Sequence, residues 1–164
     1  MYNESGFFKA YDTMAWDFFF QMLQVLHFPP IFIAWIRECV CSSKFSVNMN
    51  GELTGFFGSS RGLRQGDPLS SYLFVLVMEA FSRLLNNRVE EAQQFVYHWR
   101  CSKTKMTHLT FADDLMIFCG NSVNNAKVIR SALSDFSGWS GLCPKPQKSY
   151  LYIAGSDSVY SVAI

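Results

Sequence analysis

The stretch at residues 108–118 most constrains the fold, because two adjacent carboxylates separate two apolar runs. Thr110 and Phe111 before the acids, and an apolar run after them, favour β-strands, and the short break between them favours a tight hairpin turn. Asp113 and Asp114 repel each other, and a divalent cation such as Mg²⁺ relieves that repulsion with oxygen ligands. The stretch therefore predicts a hairpin that presents two acids, as a Mg²⁺ site or as a solvated acidic turn.

The bulk composition predicts one folded domain over residues 1–164. Apolar residues make up 49% and charged residues 16% of the 164 positions, which excludes a disordered tail. The formal net charge of +1 gives no argument for or against nucleic acid as a partner. Composition alone therefore leaves the function open.

The five cysteines match no zinc-binding spacing, and the three histidines do not complete one, so free thiols in a reducing compartment are expected. No apolar run approaches the roughly 18 residues that a membrane span needs. The N-terminus has no basic segment ahead of an apolar one, so a signal peptide is not expected. An intracellular protein without a membrane partner is predicted, in either the nucleus or the cytoplasm.

Periodicity and turn residues predict the remaining elements. Residues 58–68 form a loop with three glycines and two arginines, which is typical of a phosphate-binding segment. Residues 155–164 are expected to be a frayed end. Helices are predicted at 17–26, 31–41, 69–86 and 123–136, and strands at 44–49 (half-buried), 53–57, 95–99 and 149–153, besides the two arms of the hairpin. The hairpin is expected to pair with a strand that lies before Lys9.

The tetrapeptide FADD at residues 111–114 resembles the active-site hairpin of reverse transcriptases from plant non-LTR (LINE-type) retrotransposons. Three further blocks follow in the order of that family: KAYDT at 9–13, RGLRQGDPLS at 61–70, and SGL at 140–142 with Lys148 and Ser149 after it. The resemblance runs from about residue 9 to residue 153. It implies an α+β fold, the polymerase palm, which is a ferredoxin-like antiparallel sheet with helices packed on one face. The fingers and thumb domains are then expected elsewhere in the parent protein.

The resemblance implies an RNA-directed DNA polymerase that takes an RNA template, a DNA primer and dNTPs, using two Mg²⁺ ions. Asp113 and Asp114 would be the catalytic and metal-binding carboxylates, with Asp113 bridging both ions. Tyr11 would lie beneath the incoming sugar and exclude a 2′-hydroxyl. The other implied nucleotide- or template-binding residues are Arg64, Gln65, Gly66 and Lys148.

One departure from the family affects the chemistry directly. The family has a catalytic Asp three residues before Lys9, at the end of a strand, whereas this chain has Gly6 within a divergent segment at residues 1–8. Glu4 and Asp12 are the nearest acids and remain candidates for a replacement ligand. The sequence therefore predicts a truncated, catalytically impaired copy whose third metal ligand is missing at Gly6.

Two other functions are compatible with the acidic pair. One is a non-catalytic remnant of the palm that binds RNA or protein. The other discards the resemblance and takes the pair as the Mg²⁺ pocket of a phosphoacceptor domain, in which a strand enters a helix in a parallel sheet. The second strand that follows the acids directly argues against this last alternative.

Overall fold

The computed structural model describes residues 2–7, 9–145, 149–152 and 159–161. The helices are α1 (Ala10–Thr13), α2 (Trp16–Val25), α3 (Pro30–Cys41), α4 (Pro68–Glu91) and α5 (Val123–Ser140). The strands are β1 (Tyr2–Gly6), β2 (Lys44–Met49), β3 (Glu52–Gly58), β4 (His108–Phe111), β5 (Asp114–Phe118), β6 (Tyr150–Tyr152) and β7 (Val159–Ser161).

The main sheet has the strand order β4-β5-β1-β6-β7, and every neighbouring pair in it is antiparallel. Strand β5 lies between β1 and β4, which are joined in sequence through the helices. This arrangement is a split βαβ unit and confirms the predicted α+β palm with its ferredoxin-like sheet. An antiparallel sheet excludes the parallel pocket of a phosphoacceptor domain.

The helices α2, α4 and α5 pack on one face of this sheet around a single core. Leu115 and Ile117 of β5 are fully buried in that core. The ring of Phe136 in α5 lies 5.2 Å from that of Phe81 in α4 and 6.0 Å from that of Phe7, measured between centroids. Aromatic pairs at these separations add to the stability that burial alone gives. The core therefore holds β5, and with it the acidic hairpin, against two helices.

Both long helices begin with a side-chain cap. The Asp67 carboxylate accepts a hydrogen bond from the Leu69 N–H (2.9 Å), and Pro68 occupies the first helical position of α4. The Ser122 hydroxyl oxygen accepts one from the Asn124 N–H (3.2 Å) at the start of α5. The helix ends differ from expectation, because α4 continues to Glu91 and α5 to Ser140.

The prediction of a strand at 95–99 is wrong. This segment is irregular between turns at 93–94 and 99–100, with local bonds such as Phe95 N–H to Ala92 C=O (2.9 Å). The side-chain amide of the buried Asn125 pairs with both the N–H and the C=O of Val96 (3.0 and 2.7 Å). That amide therefore satisfies the Val96 backbone without a strand partner.

Two further expectations are corrected. Residues 159–161 within the predicted frayed end form β7, which pairs with β6, while 155–158 and 162–164 lie outside the described residues. The strand at 44–49 exists, but it is mostly exposed rather than half-buried. Strand β2 pairs with β3 in a separate two-stranded sheet, which exposes large apolar side chains such as Phe56.

Helix α4 is long and apolar enough to cross a membrane, with a mean hydropathy of 1.3 over its most apolar window. The prediction that no apolar segment is long enough to span a membrane is therefore wrong, because α4 meets the criteria of length and composition. Val77, Phe81 and Leu85 of this helix are nevertheless fully buried against the rest of the chain. Core helices of this kind pass the same test, so length and composition do not identify α4 as a membrane span.

Candidate active site

The acidic pair lies at the predicted tight turn between β4 and β5. The ladder runs from His108 opposite Ile117 to Phe111 opposite Asp114, and Ala112 adopts a left-handed conformation (φ +51°) at the turn. Asp113 is half-buried and Asp114 is exposed. In the part of the chain that the structure describes, neither carboxylate has a hydrogen-bond or ion-pair partner. Their oxygen atoms are therefore available to a ligand.

Gly6 lies directly beside this pair. Strand β1 runs antiparallel to β5 with Gly6 opposite Asp114, and the Phe7 N–H donates to the Asp113 C=O (3.3 Å). Directly opposed residues in an antiparallel pair project from the same face of the sheet. A side chain at position 6 would therefore emerge next to that of Asp114.

The two candidate replacement acids occupy other positions. Glu4 is opposite Met116, two register positions from Asp114. The Asp12 carboxylate accepts a hydrogen bond from Nε2 of Gln65 (3.3 Å). Among the described residues, no group of three or more His, Cys, Asp or Glu side chains is arranged to hold a metal ion. The hairpin acids are therefore not joined by a third acid from the described positions.

The loop before α4 is bound to the backbone of α1. The Leu63 N–H donates to the Tyr11 C=O (2.5 Å), and the Gly62 N–H donates to the Met14 C=O (2.8 Å). The indole Nε1 of Trp16 donates to the Gly62 C=O (2.7 Å). These bonds place Arg64, Gln65 and Gly66 beside α1.

Two glycines allow loops to approach α1 closely. A Cβ on Gly62 would lie 2.7 Å from the carbonyl oxygens of both Asp12 and Tyr11, and one on Gly141 would lie 2.7 Å from that of Thr13. Both glycines also have positive φ angles, of +86° and +75°. Three of the four family-like sequence blocks therefore meet at α1, an arrangement that spacing along the sequence did not indicate.

The predicted nucleotide-binding residues have different environments. The ring of Tyr11 is half-buried and stacks on Phe74 at 4.9 Å between centroids, with an interplanar angle of 24°. Arg64, Gln65 and Gly66 are exposed. The predicted residue Lys148 lies outside the described residues, so its position relative to the others is not described.

His108 is a structural residue that the sequence did not single out. Its Nε2 lies 2.8 Å from the Ser82 hydroxyl and its Nδ1 lies 2.8 Å from the Thr107 hydroxyl, which donates to the Asn86 side chain (3.0 Å). Burial lowers the pKa of His108, and the negative charge of Glu79 opposes that shift. His108 thereby joins the first strand of the hairpin to α4.

A ferredoxin-like antiparallel sheet whose β4–β5 hairpin presents two adjacent carboxylates defines the palm of a nucleic-acid polymerase. The sequence profile of the reverse transcriptase (RNA-dependent DNA polymerase) family matches residues 6–159. The chain belongs to this family.

Relatives with similar sequences support that assignment. The chain is 40% identical over 75 residues to an uncharacterized mitochondrial protein of Arabidopsis thaliana, covering 46% of this chain and 62% of the relative. It is 28% identical over 110 residues to the retrovirus-related Pol polyprotein of the retrotransposable element R2DM from Drosophila melanogaster, covering 67% of this chain and 10% of that protein. The matched part thus spans less than two thirds of each relative's length.

Solved structures with the same fold have very different sequences. Telomerase from Candida albicans, in a complex with a fragment of telomeric RNA, superposes with a TM-score of 0.71 over 96% of this chain and 27% of the telomerase chain, at 12% identity. Apo telomerase from Candida tropicalis gives 0.69 over 96% and 31%, at 13% identity. The likeness shows that the palm fold is shared.

Proposed function

We propose that this chain is the palm of an RNA-directed DNA polymerase from a LINE-type, non-LTR retrotransposon of a plant. Its substrates would be an RNA template, a DNA primer and dNTPs. The family membership, the match to a retrotransposable-element polyprotein and the match to a plant mitochondrial protein support this proposal. The parent protein would supply the fingers and thumb domains, and the protein would act inside the cell.

Asp113 and Asp114 are the residues that would hold Mg²⁺, because these carboxylates lie on a hairpin anchored in the core and have no partner among the described residues. Bound cations would lower the pKa of the primer 3′-hydroxyl and neutralise the triphosphate. Tyr11 would exclude a 2′-hydroxyl through the ring that Phe74 supports from the core side. Arg64, Gln65, Gly66 and Lys148 would contact the nucleotide or template.

The proposal that this chain is catalytically impaired rests on one observation, the register that places Gly6 opposite Asp114. A carboxylate at position 6 would complete a set of three acids at one end of two neighbouring strands. With glycine there, the site loses one negative charge and one bridging ligand. Since groups that act as one catalytic unit fail together, we expect a loss of about 10⁴-fold or more in polymerisation rate.

The test is a Mn²⁺ titration of the wild-type chain, Gly6→Asp and Gly6→Asn, followed by calorimetry. Mn²⁺ replaces Mg²⁺ as the probe because it binds similar oxygen ligands with higher affinity. Gly6→Asp should bind Mn²⁺ on the order of tenfold more tightly than Gly6→Asn. Loss of an outer-shell partner of a metal site already costs about tenfold in affinity, and a direct ligand should contribute at least as much. Gly6→Asn adds a similar side chain without the charge.

A second variant shows whether the added acid works with the hairpin. Asp113→Asn in the Gly6→Asp background should abolish the gain in Mn²⁺ affinity. Equal affinities for Gly6→Asp and Gly6→Asn would contradict the proposed role of position 6. In the parent protein with its flanking domains, Gly6→Asp should restore primer extension on an RNA template.

The same glycine favours a second candidate function, a non-catalytic palm remnant that binds RNA or protein. Binding of this kind does not require a complete metal site. It would weaken with salt, as phosphate contacts do, and would survive Asp113→Asn. A chain in which Gly6→Asp changes neither metal binding nor primer extension, but which binds RNA, would favour this candidate.

A further inference from the structure

A basic loop at residues 98–105 lies outside the candidate active site. It contains Arg100, Lys103 and Lys105, and the sequence has no acidic residue between Glu91 and Asp113. The whole chain carries a formal net charge of only +1, so this positive charge is a local feature. A local excess of this sign attracts an anionic partner.

The basic loop is an ordered turn that keeps its cations in solvent. The Cys101 N–H donates to the His98 C=O (2.9 Å), and the Met106 N–H donates to the Cys101 C=O (3.3 Å). Cys101 is buried, whereas the arginine and both lysines are exposed. The ion pairs found in the described part of the chain join Arg83 or Arg88 to acids elsewhere, so none of them neutralises this loop.

An exposed aromatic ring accompanies these charges. The side chain of Trp99 is 70% exposed. The guanidinium carbon of Arg100 lies 4.6 Å from the centroid of its ring, and the ring of His98 lies 5.9 Å away. Exposed aromatic rings beside arginines are the usual means by which proteins stack on the bases of single-stranded nucleic acid.

The basic loop lies at the opposite end of the hairpin from the acidic pair. It leads through Met106 and Thr107 into β4, and the Phe118 N–H at the end of β5 donates to the Thr107 C=O (2.7 Å). The four residues of β4 separate it from the turn, a distance of about 13 Å at the usual rise per residue. A ligand on this loop would therefore be remote from the metal-binding carboxylates.

We propose that the basic loop is a second contact for single-stranded nucleic acid, in which Trp99 stacks on a base and Arg100, Lys103 and Lys105 contact phosphates. The proposal rests on the proposed function for the class of ligand, but it does not involve the metal site. Three cations spaced along one turn beside an aromatic ring fit a flexible phosphodiester chain better than a rigid duplex.

The test is fluorescence anisotropy with a labelled, unstructured single-stranded RNA of about 20 nucleotides, longer than the usual site size for one domain. Trp99→Leu should weaken binding on the order of 5- to 100-fold, the range expected for one lost stacking contact. Trp139→Leu is the matched control, because that tryptophan is also exposed (54%) but lies on α5. It should leave the affinity unchanged.

The charges are tested by the salt dependence. Arg100→Ala with Lys103→Ala should reduce the slope of log K against log salt by about 1.4, at roughly 0.7 per phosphate contact on a single strand. Lys127→Ala with Arg130→Ala removes the same charge from exposed positions on α5 and should leave the slope unchanged.

Equal effects in the loop variants and their matched controls would overturn the proposal, as would a failure of the wild-type chain to bind the RNA. Competition by polyglutamate, combined with no effect of Trp99→Leu, would also overturn it and indicate an acidic polypeptide instead. The Mn²⁺ affinity of the Gly6→Asp variant does not depend on whether the basic loop binds RNA. Failure of the loop proposal is therefore distinguishable from failure of the proposed function.

Discussion

Single residues decide how closely the segments of the site approach one another. Gly62 and Gly141 are adjacent to backbone carbonyls of α1 at distances that no Cβ could occupy, and both have left-handed φ angles. Glycine is the residue that adopts such conformations without a steric cost. At Gly6 the absence of a side chain has a different consequence, because it leaves no group opposite Asp114, where metal binding is proposed.

We predict that Gly62→Ala destabilises the fold more than Gly66→Ala. Both positions have positive φ, +86° and +84°, so both variants incur a left-handed cost of about 1–2 kcal/mol. Only the Cβ at position 62 meets backbone atoms, and that overpacking should add about 1–3 kcal/mol, because nothing lies within 4 Å of a Cβ at position 66. Urea denaturation of both variants measures the difference in unfolding free energy. Equal values would contradict the close approach to α1.

At the scale of the elements, the hairpin is held from both of its strands. Strand β5 places Leu115 and Ile117 in the core, while β4 is an edge strand whose Phe111 is 84% exposed. A polar contact between His108 and Ser82 joins β4 to α4. Because this contact includes His108, whose pKa burial lowers, the stability that the contact gives to the hairpin should depend on pH.

We predict that the unfolding free energy decreases as the pH falls below about 6.5, the ordinary pKa of histidine. Burial lowers the pKa of His108 in the folded chain, so between that value and about 6.5 the unfolded chain binds more protons. The unfolding free energy must therefore rise with pH across this window. Denaturation of the wild-type chain and of His108→Gln at several pH values measures the slope, which should be smaller in the variant.

The variant Glu79→Gln tests the same assignment by shifting the pKa of His108 instead of removing the histidine. The charge of Glu79 raises the pKa of His108 against the effect of burial, so its removal should lower that pKa further. The window of pH-dependent stability should then extend to lower pH. A slope in His108→Gln that equals the wild-type slope would contradict the assignment to this histidine.

In the whole molecule, the segment with least resemblance to the family is at the centre of the sheet. Strand β1 pairs with β5 over five positions and with β6 over three, and Phe7 after it is buried against Phe136. Among the described strands, β7 near the other end of the chain has β6 as its one partner and lies at the edge of the sheet. The two ends of the chain therefore contribute very differently to the fold.

We predict that a chain beginning at Lys9 loses cooperative unfolding, because both strands beside β1 lose their partner at once. A chain ending at Tyr152 should remain folded, since the described element that it loses, β7, is an edge strand. Circular dichroism during thermal unfolding measures both variants against the wild-type chain. A cooperative transition in the chain that begins at Lys9 would contradict the central role of β1.

The sequence alone determined the elements whose signals are local. The hairpin at residues 108–118, helices α2 and α3 and the turn between β2 and β3 all follow from short-range periodicity and turn residues. The four family-like blocks likewise predicted the palm fold. The candidate residues Asp113, Asp114, Tyr11, Arg64, Gln65 and Gly66 were all found in sequence, and they keep their roles as predictions.

Only the tertiary structure decided which segments meet. It set the register that places Gly6 opposite Asp114 within the strand expected before Lys9, and it brought Gly62 and Gly141 to α1. It also has no strand at 95–99, where the side chain of Asn125, on a helix distant in sequence, pairs with the backbone of Val96. The physical reason is the same in each case. Local patterns favour a conformation for a segment, whereas hydrogen bonds and packing between residues far apart in the chain decide its partners and can override that preference.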